Sequence, residues 1–252
     1  METRIVNEPK INALLDKPSP KTLVEGAYRQ LHDDIINGVH PPGMKLRVEH
    51  LKDQYEVGAG TLREALLLLV TDALVVTQGQ RGFRVAPISM NDLEDITRSR
   101  LLIECTALEM SIEHGDDEWE SNVISAFHHL SKVEQKITAE SISLTDEWER
   151  RNHAFHDALI SACPSRWIQY FQSLLYKQSE RYRRLSILKQ PIARDVHSEH
   201  VILFESSIAR DITRARSALS EHILRTLDGI KKMPSDFFNG HSGRNVQDSH
   251  DA

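Results

Sequence analysis

Residues 42–85 read PGMKLRVEHLKDQYEVGAGTLREALLLLVTDALVVTQGQRGFRV, and the pattern changes character three times along them. Leu51 and Tyr55 anchor a short helix over about 48–55, and Gly58-Ala59-Gly60 makes a tight connection. A further helix starting at Thr61 carries Leu62, Ala65, Leu66, Leu69 and Ala73 on one side. Leu74-Val75-Val76-Thr77 then reads as a strand, 78–82 as a turn, and Phe83-Arg84-Val85 as the returning strand, closed by Pro87. Upstream, Val24, Tyr28, Leu31 and Ile35 recur at helical spacing over about 22–37, and Gly38 suits the left-handed position past a helix end. Residues 21–88 therefore predict helix, helix, turn, helix and hairpin: a winged helix-turn-helix. In such a unit Leu51, Val57, Leu62, Leu66 and Leu69 pack inward.

That unit presents chemistry suited to duplex DNA. Arg63 is expected in the first turn of the second helix of the pair, where a guanidinium fork can meet guanine with two hydrogen bonds. Thr61, at the expected helix start, offers a hydroxyl and backbone N–H groups to a phosphate. The hairpin tip adds Arg81, suited to a minor groove, and Gly82, which lets the backbone approach the sugar-phosphate chain. Lys45, Arg47 and Lys52 flank the first helix. Charge lends no support: residues 21–88 hold eight basic and eight acidic side chains.

The whole chain has 252 residues, 40% of them hydrophobic, with 31 basic against 37 acidic side chains and a net charge of −6. This is enough for two cores, and DNA binding would need basic residues gathered locally. Cys105 and Cys163 form no CxxC pair and suit reduced core thiols. No signal peptide opens the chain, and the apolar run 65–70 is too short to span a bilayer, so a soluble cytoplasmic protein is expected. Residues 1–20, punctuated by Pro9, Pro18 and Pro20, read as a flexible arm, and 234–252 as a disordered tail. Between them, 89–233 carries almost no strand signal. Ser89 or Asn91 can cap a helix reaching about His114, and further helices are expected over 117–138, 143–162, 165–189, 191–209 and 211–233. The expected class is mainly α: an N-terminal winged helix-turn-helix followed by an all-α antiparallel bundle.

Thirteen histidines are many for this length. Asn152 and His156, four apart on one helix, project from the same face about 6 Å apart along the axis. His200 and His222 are equidistant from the break near Asp211, so an antiparallel hairpin brings them level. Three imidazoles and one oxygen suit zinc, nickel or another borderline divalent ion. Spacing alone leaves open that each is an ordinary helix histidine. Glu149 is too far along the helix to share that ion and is expected to support His153.

From Pro42-Gly43-Met44-Lys45-Leu46 through Leu62-Arg63-Glu64-Ala65-Leu66 to Arg81-Gly82-Phe83-Arg84-Val85, the chain resembles the GntR family of winged-helix regulators. Arg100 with Glu104, Asn152 with Phe155-His156, Glu199-His200 and His222 resemble the ligand-sensing FCD domain of the FadR-like branch, and the whole is most similar to CsiR-type members. The resemblance implies a regulator, most simply a repressor, that binds two-fold operator DNA as a homodimer. It also implies control by a small carboxylate or dicarboxylate effector, with metal held by Asn152, His156, His200 and His222. Two departures stand out. Gly58-Ala59-Gly60-Thr61 replaces the family's Ser-Arg-Thr-Pro, so either the operator differs or Arg47 and Arg81 carry more of the recognition. Asn152 replaces an aspartate, which removes a negative charge, weakens metal affinity and favours an anionic effector. Arg100 is the candidate clamp for the effector carboxylate, against the alternative of an ion pair with Glu104; Arg181 and Tyr182 are further candidates. The competing reading is a metal-dependent hydrolase on the bundle. No HExxH, nucleophile elbow or phosphate loop supports an enzyme, and none is expected.

Overall fold

The computed structural model describes residues 20–79, 82–136, 145–189, 194–234 and 236–239. In its N-terminal part, α1 (Leu23–Ile36) starts where the Thr22 hydroxyl accepts the Glu25 N–H. It is followed by β1 (Lys45–Leu46), α2 (Val48–Gln54), α3 (Ala59–Thr71), β2 (Val75–Gln78) and β3 (Gly82–Val85). The sheet is antiparallel in the order β1-β3-β2, with Leu46 opposite Phe83 and Val75 opposite Val85. Leu31, Ile35, Leu62, Leu66, Leu69 and Leu74 are sealed in one core with Leu51. This is the expected winged helix-turn-helix, with two differences. The helix α3 begins at Ala59, two residues early, because Gly58 takes an extended conformation and supplies the cap. β1 was not anticipated: two residues make no periodic signal, and their strand exists through pairing with the returning wing strand.

The second part is all helix: α4 (Met90–His114), α5 (Asp117–Glu134), α6 (Thr145–Ile160), α7 (Arg166–Lys189), α8 (Val196–Ile208), α9 (Ile212–Lys231) and the short α10 (Asp236–Asn239). Side-chain caps set the starts. The Ser89, Asp116, Asp195 and Asp211 side chains accept N–H groups of their own helices' first turns. α4 packs against α6, α7 and α9, α5 against α6 and α8, and α8 against α9. Phe155, Leu159, Leu203, Leu219 and Trp119 lie in the main core, and a second cluster at the other end holds Leu93, Tyr182 and Ile230.

Several expected boundaries shift. α5 stops at Glu134 rather than 138, and α8 starts at Val196, after the Asp195 cap, rather than at Pro191. The region beyond Pro234 is not wholly a tail, since α10 seats Phe237, 1% exposed, in the second cluster. The expected arm through residue 19, the tail beyond 239, Pro191 and the wing-tip Arg81 lie outside the described residues. Among the described residues, no helix is long and apolar enough to cross a membrane.

Candidate ligand site and DNA-facing surface

Three helices of the bundle each bring one imidazole to a common point: His156 from α6, His200 from α8 and His222 from α9. All three are buried, and their ligand-capable nitrogens lie within 4.8 Å of one another. Ring centroids are 4.8 Å apart for His200 and His222 and 5.1 Å for His156 and His222. Glu134, at the end of α5, holds His200 Nδ1 at 2.7 Å, and its other oxygen lies 2.8 Å from His197 Nδ1. Glu199 holds His222 Nδ1 at 2.9 Å while Arg194 grips the same carboxylate. A carboxylate on Nδ1 fixes the ring and its tautomer and leaves Nε2 with a lone pair. Asn152 donates its amide to the Tyr176 hydroxyl at 2.8 Å. Two buried atoms here have no hydrogen-bond partner: Asn152 Oδ1 and His200 Nε2.

Burial disfavours the charged form of His156 and His222. It pushes His156 well below the ordinary histidine range, helped by the positive charge His222 and His200 would carry and by Arg100 and Arg183. His222 is lowered to about 3, first by burial, with His200 and Arg194 adding to it; Glu199 opposes the shift and loses. Burial alone would raise the Glu134 carboxyl, but the hydrogen bond and charge of His200, with the His197 and Trp148 bonds, outweigh it and leave it lowered. Three buried imidazoles with two unpartnered polar atoms beside them form a donor set that fits a borderline divalent ion.

On the opposite part of the molecule, Arg63 lies on the exposed side of α3, as the fifth residue of the helix rather than in its first turn. Thr61 is half-buried at the third position rather than at the start. Arg47 is exposed at the N-cap of α2, where its side chain makes no capping bond. Gly82 opens β3 in a place that admits no side chain, because a Cβ there would stand 2.7 Å from the Gln78 carbonyl oxygen. Lys52 is paired with Glu49 at 2.8 Å. The sequence reading overlooked that α3 also exposes Leu67 and Leu68.

The comparisons agree with both geometries. The profile of bacterial regulatory proteins of the gntR family matches residues 23–85, and that of the FCD domain matches 95–225. The HTH-type transcriptional regulator BphR of Paraburkholderia xenovorans (strain LB400) is 44% identical over 212 residues, 84% of this chain and 86% of that one. This chain belongs to the GntR family, in its FCD-containing, FadR-like branch. It is a DNA-binding transcription regulator with an effector-binding domain. The HTH-type transcriptional repressor GlaR of Escherichia coli (strain K12) is 36% identical over 209 residues, covering 81% of this chain and 94% of GlaR. Among solved structures, E. coli McbR/YncC superposes with a TM-score of 0.69 at 18% identity, over 83% of this chain and 97% of that one. A GntR regulator from Rhodococcus sp. RHA1 gives 0.66 at 19% identity, over 82% and 97%. These two show a shared fold.

In this GntR regulator each expected effector clamp has protein partners. Arg100 is buried and spends its guanidinium on Glu104, at 2.6 and 3.1 Å, and on Ser179 at 2.7 Å. The ion pair with Glu104 is present, in the interior rather than at the surface, and Arg100 also lies 5.9 Å from the Tyr176 ring centroid. Arg181 is 1% exposed and donates to the Ala86 carbonyl between the two parts. Tyr182 donates to Asp92 at 2.7 Å and accepts the Ser89 N–H. Both serve the joint rather than the histidine site. Glu149 does not support His153. It is buried against Arg183 at 2.7 and 3.0 Å, while His153 pairs with Asp157 and stacks on Tyr176. Tyr176, Glu134, Arg183 and Arg194 were missed. None stands in a spacing that points to the histidines: Glu134 comes from α5, Tyr176 and Arg183 from α7, and Arg194 from the connection before α8.

Proposed function

We propose that this protein is a metal-assisted, carboxylate-responsive repressor that binds a two-fold operator as a homodimer. The observation that carries the ligand reading is the buried trio of imidazoles, His156, His200 and His222, with the partnerless Asn152 Oδ1 beside Tyr176. These four side chains would hold the ion, zinc or nickel, which when bound supplies a Lewis-acidic seat for a carboxylate oxygen. The site's own charges are already matched: Arg100 with Glu104, Arg183 with Glu149, and Arg194 with Glu199. Glu134, held by His200 and His197 rather than by an arginine, offsets one charge of a divalent ion held by neutral ligands, and a small carboxylate or dicarboxylate offsets the remainder. The Glu104, Glu149 and Glu199 carboxylates and Glu134 are committed to arginine or to imidazole Nδ1, which favours sensing over a hydrolase needing a free general base.

For DNA, Arg63, Thr61, Arg47 and Gly82, with Arg81 at the wing tip, form the operator-reading set. Repression follows GlaR, a repressor, and this reading sets the protein beside cytoplasmic DNA. A dimer is supported by an exposed aromatic stripe at the start of α7, where Trp167, Tyr170 and Phe171 stand in mutual contact. Two copies present two recognition helices one DNA turn apart.

Equilibrium dialysis against zinc and nickel chlorides, followed by thermal shift with a panel of dicarboxylic acids, tests the site. The wild type should bind one ion per chain and gain stability from a dicarboxylate only when the ion is present. A variant carrying His156→Ala, His200→Ala and His222→Ala should do neither. A metal-free wild type whose dicarboxylate response survives chelator, and survives in the triple variant, would overturn the assignment.

A further inference from the structure

One helix grips both parts of the molecule through neighbouring residues. In α7, Tyr176 receives the Asn152 amide at 2.8 Å, Ser179 receives Arg100 at 2.7 Å, and Arg183 holds Glu149. These three face the histidine site. The residues between them reach the winged head. Lys177 Nζ lies 3.2 Å from Asp72 Oδ1, and Gln178 Nε2 donates to the Asp72 carbonyl at 2.5 Å. Arg181 donates to the Ala86 carbonyl, and Arg184 donates to Asn37 at 2.8 Å. At about 100° per residue, positions 176, 179 and 183 share one face of the helix, and 177, 181 and 184 share another.

Asp72 is the C-cap of α3, the helix that carries Arg63. Its N–H closes on the Leu68 carbonyl, and its other carboxylate oxygen takes the Tyr28 hydroxyl. A shift of α7 therefore acts on the end of α3 directly and does not have to pass through the connecting residues 86–89. At the other end, Asn152 offers Oδ1 without a partner while its amide nitrogen is committed to Tyr176. Anything that engages Oδ1 fixes the amide plane and, through it, the Tyr176 hydroxyl.

We propose that α7 is the coupling rod of this regulator, with Asn152–Tyr176 as its sensing end and Lys177–Gln178–Asp72 as the clasp that sets the recognition helix. This rests on the reading of the histidine cluster as the ligand site. The residues of the clasp are positioning residues that touch neither ligand nor operator. A packed interior has discrete arrangements rather than a continuous give, so a small change at Tyr176 moves the clasp as a unit.

Amide hydrogen exchange on the full chain tests it, with zinc chloride as the probe. In the wild type, one equivalent of zinc should change exchange at amides 68–74 by about fivefold or more, the lower end of ordinary coupling. In Lys177→Ala/Gln178→Ala that change should vanish while zinc stoichiometry stays the same. Without zinc, Tyr176→Phe should alter the same amides in the wild-type background and leave them unaltered in the double-variant background. Zinc bound at full stoichiometry with 68–74 unmoved, or moved equally with the clasp removed, sinks the coupling. If zinc does not bind, the metal reading has failed, and the Tyr176→Phe arm decides alone: no effect on 68–74, or the same effect without the clasp, sinks the coupling. Should the double variant lose helical circular dichroism, Asp72→Asn replaces it, since it keeps the carbonyl and removes only the carboxylate.

Discussion

Arg63 and His40 show how differently two polar residues of the same head are used. Arg63 is exposed, so Arg63→Ala removes no core contact. We expect unchanged melting and a loss of operator affinity of about 1–3 kcal/mol, the worth of a bidentate base contact, read by fluorescence anisotropy at fixed salt. His40 is 3% exposed, 2.7 Å from the Tyr55 hydroxyl, which in turn donates to Asp34. Burial lowers its pKa from the ordinary value, with Asp34 opposing and outweighed. The folded head thus holds fewer protons than the unfolded chain once the pH falls below the usual histidine range. Its stability contribution is complete above about pH 6.5 and drains away as pH falls towards the folded pKa. Melting followed from pH 8 to pH 5 should show a falling Tm that flattens in His40→Gln. A wild-type profile as flat as the variant's would contradict this account.

At the scale of elements, the turn after α3 carries a local conflict. Ala73 sits at φ 56°, the left-handed position past the helix end, where its N–H bonds Val70 and the following Leu74 N–H reaches back to Leu69. This is glycine's place, and a Cβ there costs roughly 1–2 kcal/mol, part of which is offset by the freedom glycine loses on folding. Ala73→Gly should stabilise the head by about 0.5–1 kcal/mol in urea titrations; destabilisation would mean that the Ala73 methyl packs usefully. Most elements were readable in advance because their signals are local. Apolar spacing gave α1 and α3, and the Ser89 hydroxyl marked the start of α4. β1 and the late start of α8 were not readable, the first because it depends on a distant strand and the second because Asp195 rather than a proline sets the cap.

For the molecule as a whole, the exposed stripe Trp167, Tyr170 and Phe171 on α7 carries the expectation of a dimer. Trp167→Glu with Phe171→Glu places charge on that face without entering the core. Sedimentation should then show monomer, with operator affinity reduced by far more than the loss of one half-site contact. A dimer that persists would move the interface elsewhere. The aromatic stripe lies on the same helix as the Asp72 clasp, so assembly and the position of the recognition helix share one structural element.

The linear pattern alone determined the winged head, the helical bundle after it and the pairing of Asn152 with His156 on one helix face. Each of these depends on residues a few positions apart, whose geometry is set by the period of the helix or strand. Only packing decided that His156 joins His200 and His222, that Glu134 and Glu199 hold two of them, that Arg100 pairs with Glu104 in the interior, and that Arg181 and Tyr182 bond Ala86 and Asp92. Contacts between helices follow from their crossing angle and axial offset, which side chains far apart in sequence fix together and no single stretch encodes.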